Sequence, residues 1–155
     1  MLNILIKSLG KSKEDPAFKS FQGSLSLMIR SEGDKMIYQN LDEKLTLTID
    51  QADILIKIEM AAESKWFKLY FNEICKVVTT LINEIDVVTA IGEPTAVLVH
   101  PQKVGGAKQM LYNKGAYWLS LKFNHDILES LALLLPSLVP HTIQSNSVPI
   151  RLCKG

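Results

Sequence analysis

Two segments of the chain repeat one pattern. Leu45-Thr46-Leu47-Thr48-Ile49-Asp50 is followed, after Gln51 and Ala52, by Asp53-Ile54-Leu55. Leu119-Ser120-Leu121-Lys122-Phe123-Asn124 is followed, after His125, by Asp126-Ile127-Leu128. Each begins with strict apolar-polar alternation, the period of a half-buried strand. Each then meets Asp or Asn, residues that cap helices. The apolar positions after Asp50 (Ile54, Leu55, Ile58, Ala61, Ala62) recur at helical spacing. Those after Asn124 (Ile127, Leu128, Leu131, Leu134, Leu135, Leu138) do the same. A chain carrying two copies of one unit is expected to fold as a pseudo-symmetric body. The expected fold class is α+β, with two antiparallel β-sheets each followed by a helix.

The 155 residues suit one domain. Residues 1–141 are read as that domain and 142–155 as a loosely held tail. Hydrophobic residues make up 47% and charged residues 21% of the chain, a globular balance. No apolar run has the length of a membrane span. The first residues lack the charged leader and cleavage site of a signal peptide. Cys75 and Cys153 have no metal-ligand spacing and read as free thiols of a reducing compartment, the cytoplasm or similar.

Further strands are expected at Met1–Ile6, Ser24–Arg30, Lys35–Asn40, Ala96–His100, Gln109–Tyr112 and Tyr117–Phe123. Ser8–Lys19 reads as a loop and Asn72–Asn83 as a helix. In the Tyr117–Phe123 segment, Tyr117, Leu119, Leu121 and Phe123 share one face, and Trp118, Ser120 and Lys122 the other.

Charge is segregated along the chain, although the net charge is only +1. From Pro94 to His125 there is no acid, while Lys103, Lys108, Lys114 and Lys122 are present. Such segregation fits a surface that faces a polyanion. The alternative is a solvated, lysine-bearing hairpin.

Three segments carry a family resemblance. Tyr38–Ile58 holds an aromatic residue, a basic-acidic run and an alternating strand. Leu98–Leu111 holds His100-Pro101, Gly105-Gly106 and Lys108. Tyr117–His141 closes on Leu135-Pro136. Together they resemble the Whirly-type single-stranded nucleic-acid-binding fold of plant Whirly proteins and kinetoplastid mitochondrial guide-RNA-binding proteins. The segment Phe21-Gln22-Gly23-Ser24 departs from that family in lacking its early lysines. The resemblance implies two units of four antiparallel strands plus a helix, and a homo-oligomer, a tetramer in that family.

The function expected from these readings is non-catalytic, sequence-tolerant binding of single-stranded DNA or RNA. Exposed strand faces and a basic hairpin would do it: Arg30, Lys44, Thr46, Lys103, Lys108, Tyr112, Lys114, Trp118, Ser120 and Lys122. Trp118 would stack on bases while lysines follow phosphates. The competing reading packs Trp118 under the loop or the tail, or at a subunit contact. The other function class is a protein-interaction or assembly module without nucleic acid. No cofactor or metal is expected: His100, His125 and His141 are far apart in sequence, and Gly105-Gly106 after Lys103 is not a phosphate loop.

Overall fold

Leu45, Leu47 and Ile49 are each 0% exposed, and the alternating segment is strand β3 (Leu45–Ile49). The chain then departs from the expected helix. The Asp50 carboxylate accepts from the amides of Ala52 (2.9 Å) and Ile54 (3.0 Å), and Asp53 sits at φ 62°. Those bonds close a tight loop, and strand β4 follows at Leu55–Ala61. Asp50 therefore caps a turn, a role Asp fills as readily as a helix cap. Asp50→Ala is expected to cost about 1–2 kcal/mol, the worth of two amide hydrogen bonds, read as a lower urea midpoint.

The second copy behaves alike. Strand β7 (Trp118–Asn124) turns through His125 (φ 53°) and Asp126 (φ 60°) into strand β8 (Ile127–Leu134). Two successive left-handed residues make the primed turn that suits the twist of a hairpin. The repeat is thus strand-turn-strand in both places. Helical spacing misleads here because Ile56, Ile58 and Met60 satisfy the period of two equally well.

The computed structural model describes residues 2–77, 81–100, 107–144 and 150–153. Strands β1 (Met28–Glu32) and β2 (Lys35–Asn40) precede β3 and β4 in an antiparallel meander. Strands β5 (Ala96–His100) and β6 (Ala107–Asn113) precede β7 and β8 in a second one. The two meanders join through β4 and β8, with Ile58 opposite Leu133 and Met60 opposite Leu131. Strand β9 (Ile150–Cys153), within the expected tail, runs parallel to β5. The described residues form one nine-stranded sheet in the order β1-β2-β3-β4-β8-β7-β6-β5-β9. This corrects the expectation of two sheets each followed by a helix. The segments read as helices are the two central strands that fuse the halves.

The helices lie elsewhere. Helix α1 (Leu2–Ser8) replaces the expected N-terminal strand, because Leu2 and Leu5 sit one helical turn apart and both reach the core. Helix α2 (Pro16–Gly23) starts inside the expected loop. Asp15 accepts from the Phe18 amide and Pro16 takes the first turn. Its Phe18 and Phe21 are buried, and the following strand begins only at Met28. Helix α3 (Lys65–Leu69) runs into a π-helical turn (Tyr70–Ile74). Helix α4 (Glu84–Ile91) begins at the capping box of Asn83 and Asp86. The single helix expected over Asn72–Asn83 is not formed, and residues 78–80 fall outside the described residues.

These helices cover one face of the sheet. Leu2, Leu5, Phe18, Phe21, Trp66 and Phe67 join the inward residues of β2–β8 in the main core. A smaller cluster lies on the opposite face, where Ala96, Leu98, Leu111, Trp118, Ala132 and Leu134 pack with Val139 and Ile143. Val139 follows a 3-10 turn (Pro136–Leu138), and Ile143 lies on helix α5 (His141–Gln144).

Candidate interaction surface

The described residues cover only part of the second face of the sheet. Val139 and Ile143 cap its β5–β8 side, whereas polar side chains remain across β2, β3, β4 and β8. The reason is the alternation itself: Thr46 and Thr48 on β3, Lys57 and Glu59 on β4, and Ser130 on β8 point away from the helices. Two shallow cavities indent this face, of about 190 and 240 Å3. They share Glu59 and Ser130. The first is also lined by Gln39, Lys44 and Thr46, the second by Gln109, Ser120 and Lys122.

Cations on this face are largely matched by carboxylates. Lys57 lies 3.3 Å from Glu59, and Arg30 lies 2.7 Å from Glu32. Lys44 donates to Glu63 and holds that carboxyl below the ordinary carboxylate range. Lys122 makes no ion pair among the described residues. Gln109 donates to the Ser120 hydroxyl at 2.7 Å, so this part of the surface is organised by neutral hydrogen bonds.

The residues expected to contact nucleic acid are therefore divided. Arg30, Thr46, Ser120, Lys122 and Trp118 share the second face, as their strand positions imply. Lys44 sits at its margin, just before β3. Trp118 is the main correction: it is 1% exposed, packed with Val139 and Ile143 instead of presenting its indole to solvent. Tyr112 points into the helix-covered face, where its hydroxyl donates to the Gly92 carbonyl at 2.8 Å and burial raises its pKa. Lys108 is held by Glu84 at 2.8 Å. Lys114 stands over the Tyr112 ring at 5.9 Å. Lys103 lies outside the described residues.

Sequence reasoning missed two features. One is the edge at β1, which pairs with β2 alone among the described residues. All five of its residues are exposed, with Met28 at 63% and Ile29 at 56%. The second is a cavity beside the π-helical turn, lined in part by Tyr70, Cys75, Lys114 and Tyr117. The edge left no local signal, because alternation over Ser24–Arg30 marks a strand without giving its place in the sheet. The cavity joins segments distant in sequence and leaves no local signal. Among the described residues, no group of three or more His, Cys, Asp or Glu could hold a metal ion. No described helix is long and apolar enough to cross a membrane.

No family model matches the chain. No curated protein matches it either. Among solved structures, it is similar to a DUF4309 family protein (YjgB) from Bacillus subtilis subsp. subtilis str. 168. The identity is 11% and the TM-score 0.44, over 68% of this chain and 67% of that chain.

Proposed function

We propose that the protein is a non-catalytic assembly module whose β1 edge pairs with the β1 edge of a second copy. The observation that carries this reading is the exposed, one-sided strand with Met28 and Ile29 uncovered. Edge strands with open amides and apolar side chains recruit other strands unless they are guarded.

The hairpin geometry specifies how. Gly33 (φ 63°) and Asp34 form a two-residue turn between Glu32 and Lys35. Such a turn closes on a hydrogen-bonded pair, so Glu32, Arg30 and Met28 direct their amides to β2. Ile29 and Ser31 direct theirs outward. An antiparallel copy must then match outward residues with outward residues. A two-fold axis at Ser31 sets Ser31 against itself and Arg30 against the partner's Glu32, twice. It also sets Ile29 against the partner's Gly33, where nothing stands within 4 Å of a Cβ position. The register with Arg30 on the axis opposes two guanidinium groups. The charges that would guard a simple edge are thus complementary to their own copy. A strand of five residues makes a small interface, so the association is weak and concentration-dependent.

Single-strand binding, the other reading, loses its stacking residue with Trp118 buried. Lys122 on the open face remains in its favour. Sedimentation velocity over a concentration series tests the assembly reading. Arg30→Glu and Glu32→Arg should each weaken self-association about tenfold, since two cross-strand pairs turn repulsive at up to about 1 kcal/mol each. The double exchange should restore it. A wild-type chain that stays monomeric throughout contradicts the reading. Anisotropy with a labelled single-stranded oligonucleotide at two salt concentrations then decides for or against the nucleic-acid alternative.

A further inference from the structure

Three segments converge on the cavity of about 380 Å3 beside the π-helical turn. The turn supplies Tyr70 and Ile74, with Cys75 directly after it. Helix α4 supplies Ala90 and Ile91, and the β6–β7 hairpin supplies Lys114 and Tyr117. The turn is defined by the Cys75 amide bonding to the Tyr70 carbonyl, five residues back, at 3.1 Å. Such turns are rare and recur at functional sites. The volume lies at the lower end of the range for small-molecule pockets.

Tyr70, Tyr117 and Lys114 supply polar groups to the lining. The hydroxyls of Tyr70 and Tyr117 are 3.0 Å apart. One bond between two hydroxyls consumes one proton and leaves the other for a third group. The Tyr70 hydroxyl is fully buried and also hydrogen-bonds the Cys75 thiol, whereas Tyr117 is only partly buried; with Tyr70 donating to Tyr117, the Tyr117 proton is the one left for a third group at the cavity. Burial raises both phenols, which therefore stay neutral donors. The Lys114 ammonium is exposed, close enough to Cys75 to oppose the burial that pushes its thiol up, and paired with no carboxylate among the described residues. Ile74, Ala90 and Ile91 form the remaining wall and are apolar.

We propose that this cavity binds a small amphipathic carboxylate, its head on Lys114 Nζ and the Tyr117 hydroxyl and its apolar body against Ile74, Ala90 and Ile91. A single cation beside a hydroxyl suits a monoanion, and the apolar wall excludes a ligand that is polar throughout. The site is independent of the β1 edge, which is separated from the β6–β7 pair by β2, β3, β4 and β8 in the sheet order.

The test is an amide-resolved NMR titration of the full chain with decanoate, and with decanol and decylammonium as matched controls. Decanoate should bind saturably and shift the amides of Cys75, Ala90 and Ile91. Decanol and decylammonium should bind at least about tenfold more weakly, the worth of one charge-assisted hydrogen bond. Lys114→Gln should weaken decanoate about tenfold and leave decanol unchanged. Tyr117→Phe should weaken decanoate by a smaller factor. Ala90→Trp should fill the cavity and abolish binding while its own amide spectrum keeps the dispersion of the parent. Equal affinity for decanoate and decanol overturns the proposal. So do shifts centred on another surface, an unaffected Lys114→Gln variant, or no saturable binding.

Discussion

Trp118→Ala is expected to lower folding stability by about 3–5 kcal/mol, the cost of truncating a buried aromatic residue. The indole is 1% exposed and sits between the sheet and the segment that carries Val139 and Ile143. Alanine there leaves a cavity and loosens that segment's contact with β5–β8. Lys122→Ala is the matched control on the same strand face. Its side chain is exposed, and such changes usually stay within about 0.5 kcal/mol. Urea unfolding of both variants measures the contrast. A Trp118→Ala variant as stable as the parent would place the indole outside the core.

Leu133→Ala is expected to cost about 2–5 kcal/mol. Leu133 is fully buried at the seam, opposite Ile58 of β4 and Leu119 of β7. The two meanders meet only through β4 and β8 in the sheet order, so this position touches both halves. The core runs unbroken across the seam. Parent and variant should therefore unfold in one cooperative transition, with the midpoint lowered and the slope kept. Two separate transitions after Leu133→Ala would show that the halves fold independently.

The strand faces are legible in the sequence. Alternation correctly sets Leu119, Leu121 and Phe123 on one side of β7 and Trp118, Ser120 and Lys122 on the other. The repeat is legible as well, since Leu45–Ile49 and Leu119–Phe123 both lie in strands that flank the β4–β8 seam. The segment after each copy of the repeat is a strand where helical spacing suggests a helix. The Leu-rich composition of Ile127–Leu134 favours a helix, and cross-strand pairing on both sides overrides that preference. Asp50 and Asn124 signal a chain reversal as well as a helix start, and local sequence does not separate the two. The burial of Trp118 depends on residues some twenty positions later, Val139 and Ile143, the second of which lies in the expected tail. A tryptophan on an otherwise polar face is itself the hint that something covers it. The β1 edge depends on strand order, which alternation does not encode.

Backbone amide exchange at β1 tests the assembly of the protein most directly. At low concentration the amides of Ile29 and Ser31 should exchange freely, while those of Met28, Arg30 and Glu32 are protected by β2. Raising the concentration should protect Ile29 and Ser31 selectively, with the half-protection point moving up in Arg30→Glu and returning in the Arg30→Glu, Glu32→Arg double variant. Exchange at Ile29 and Ser31 that is indifferent to concentration would contradict pairing between β1 edges.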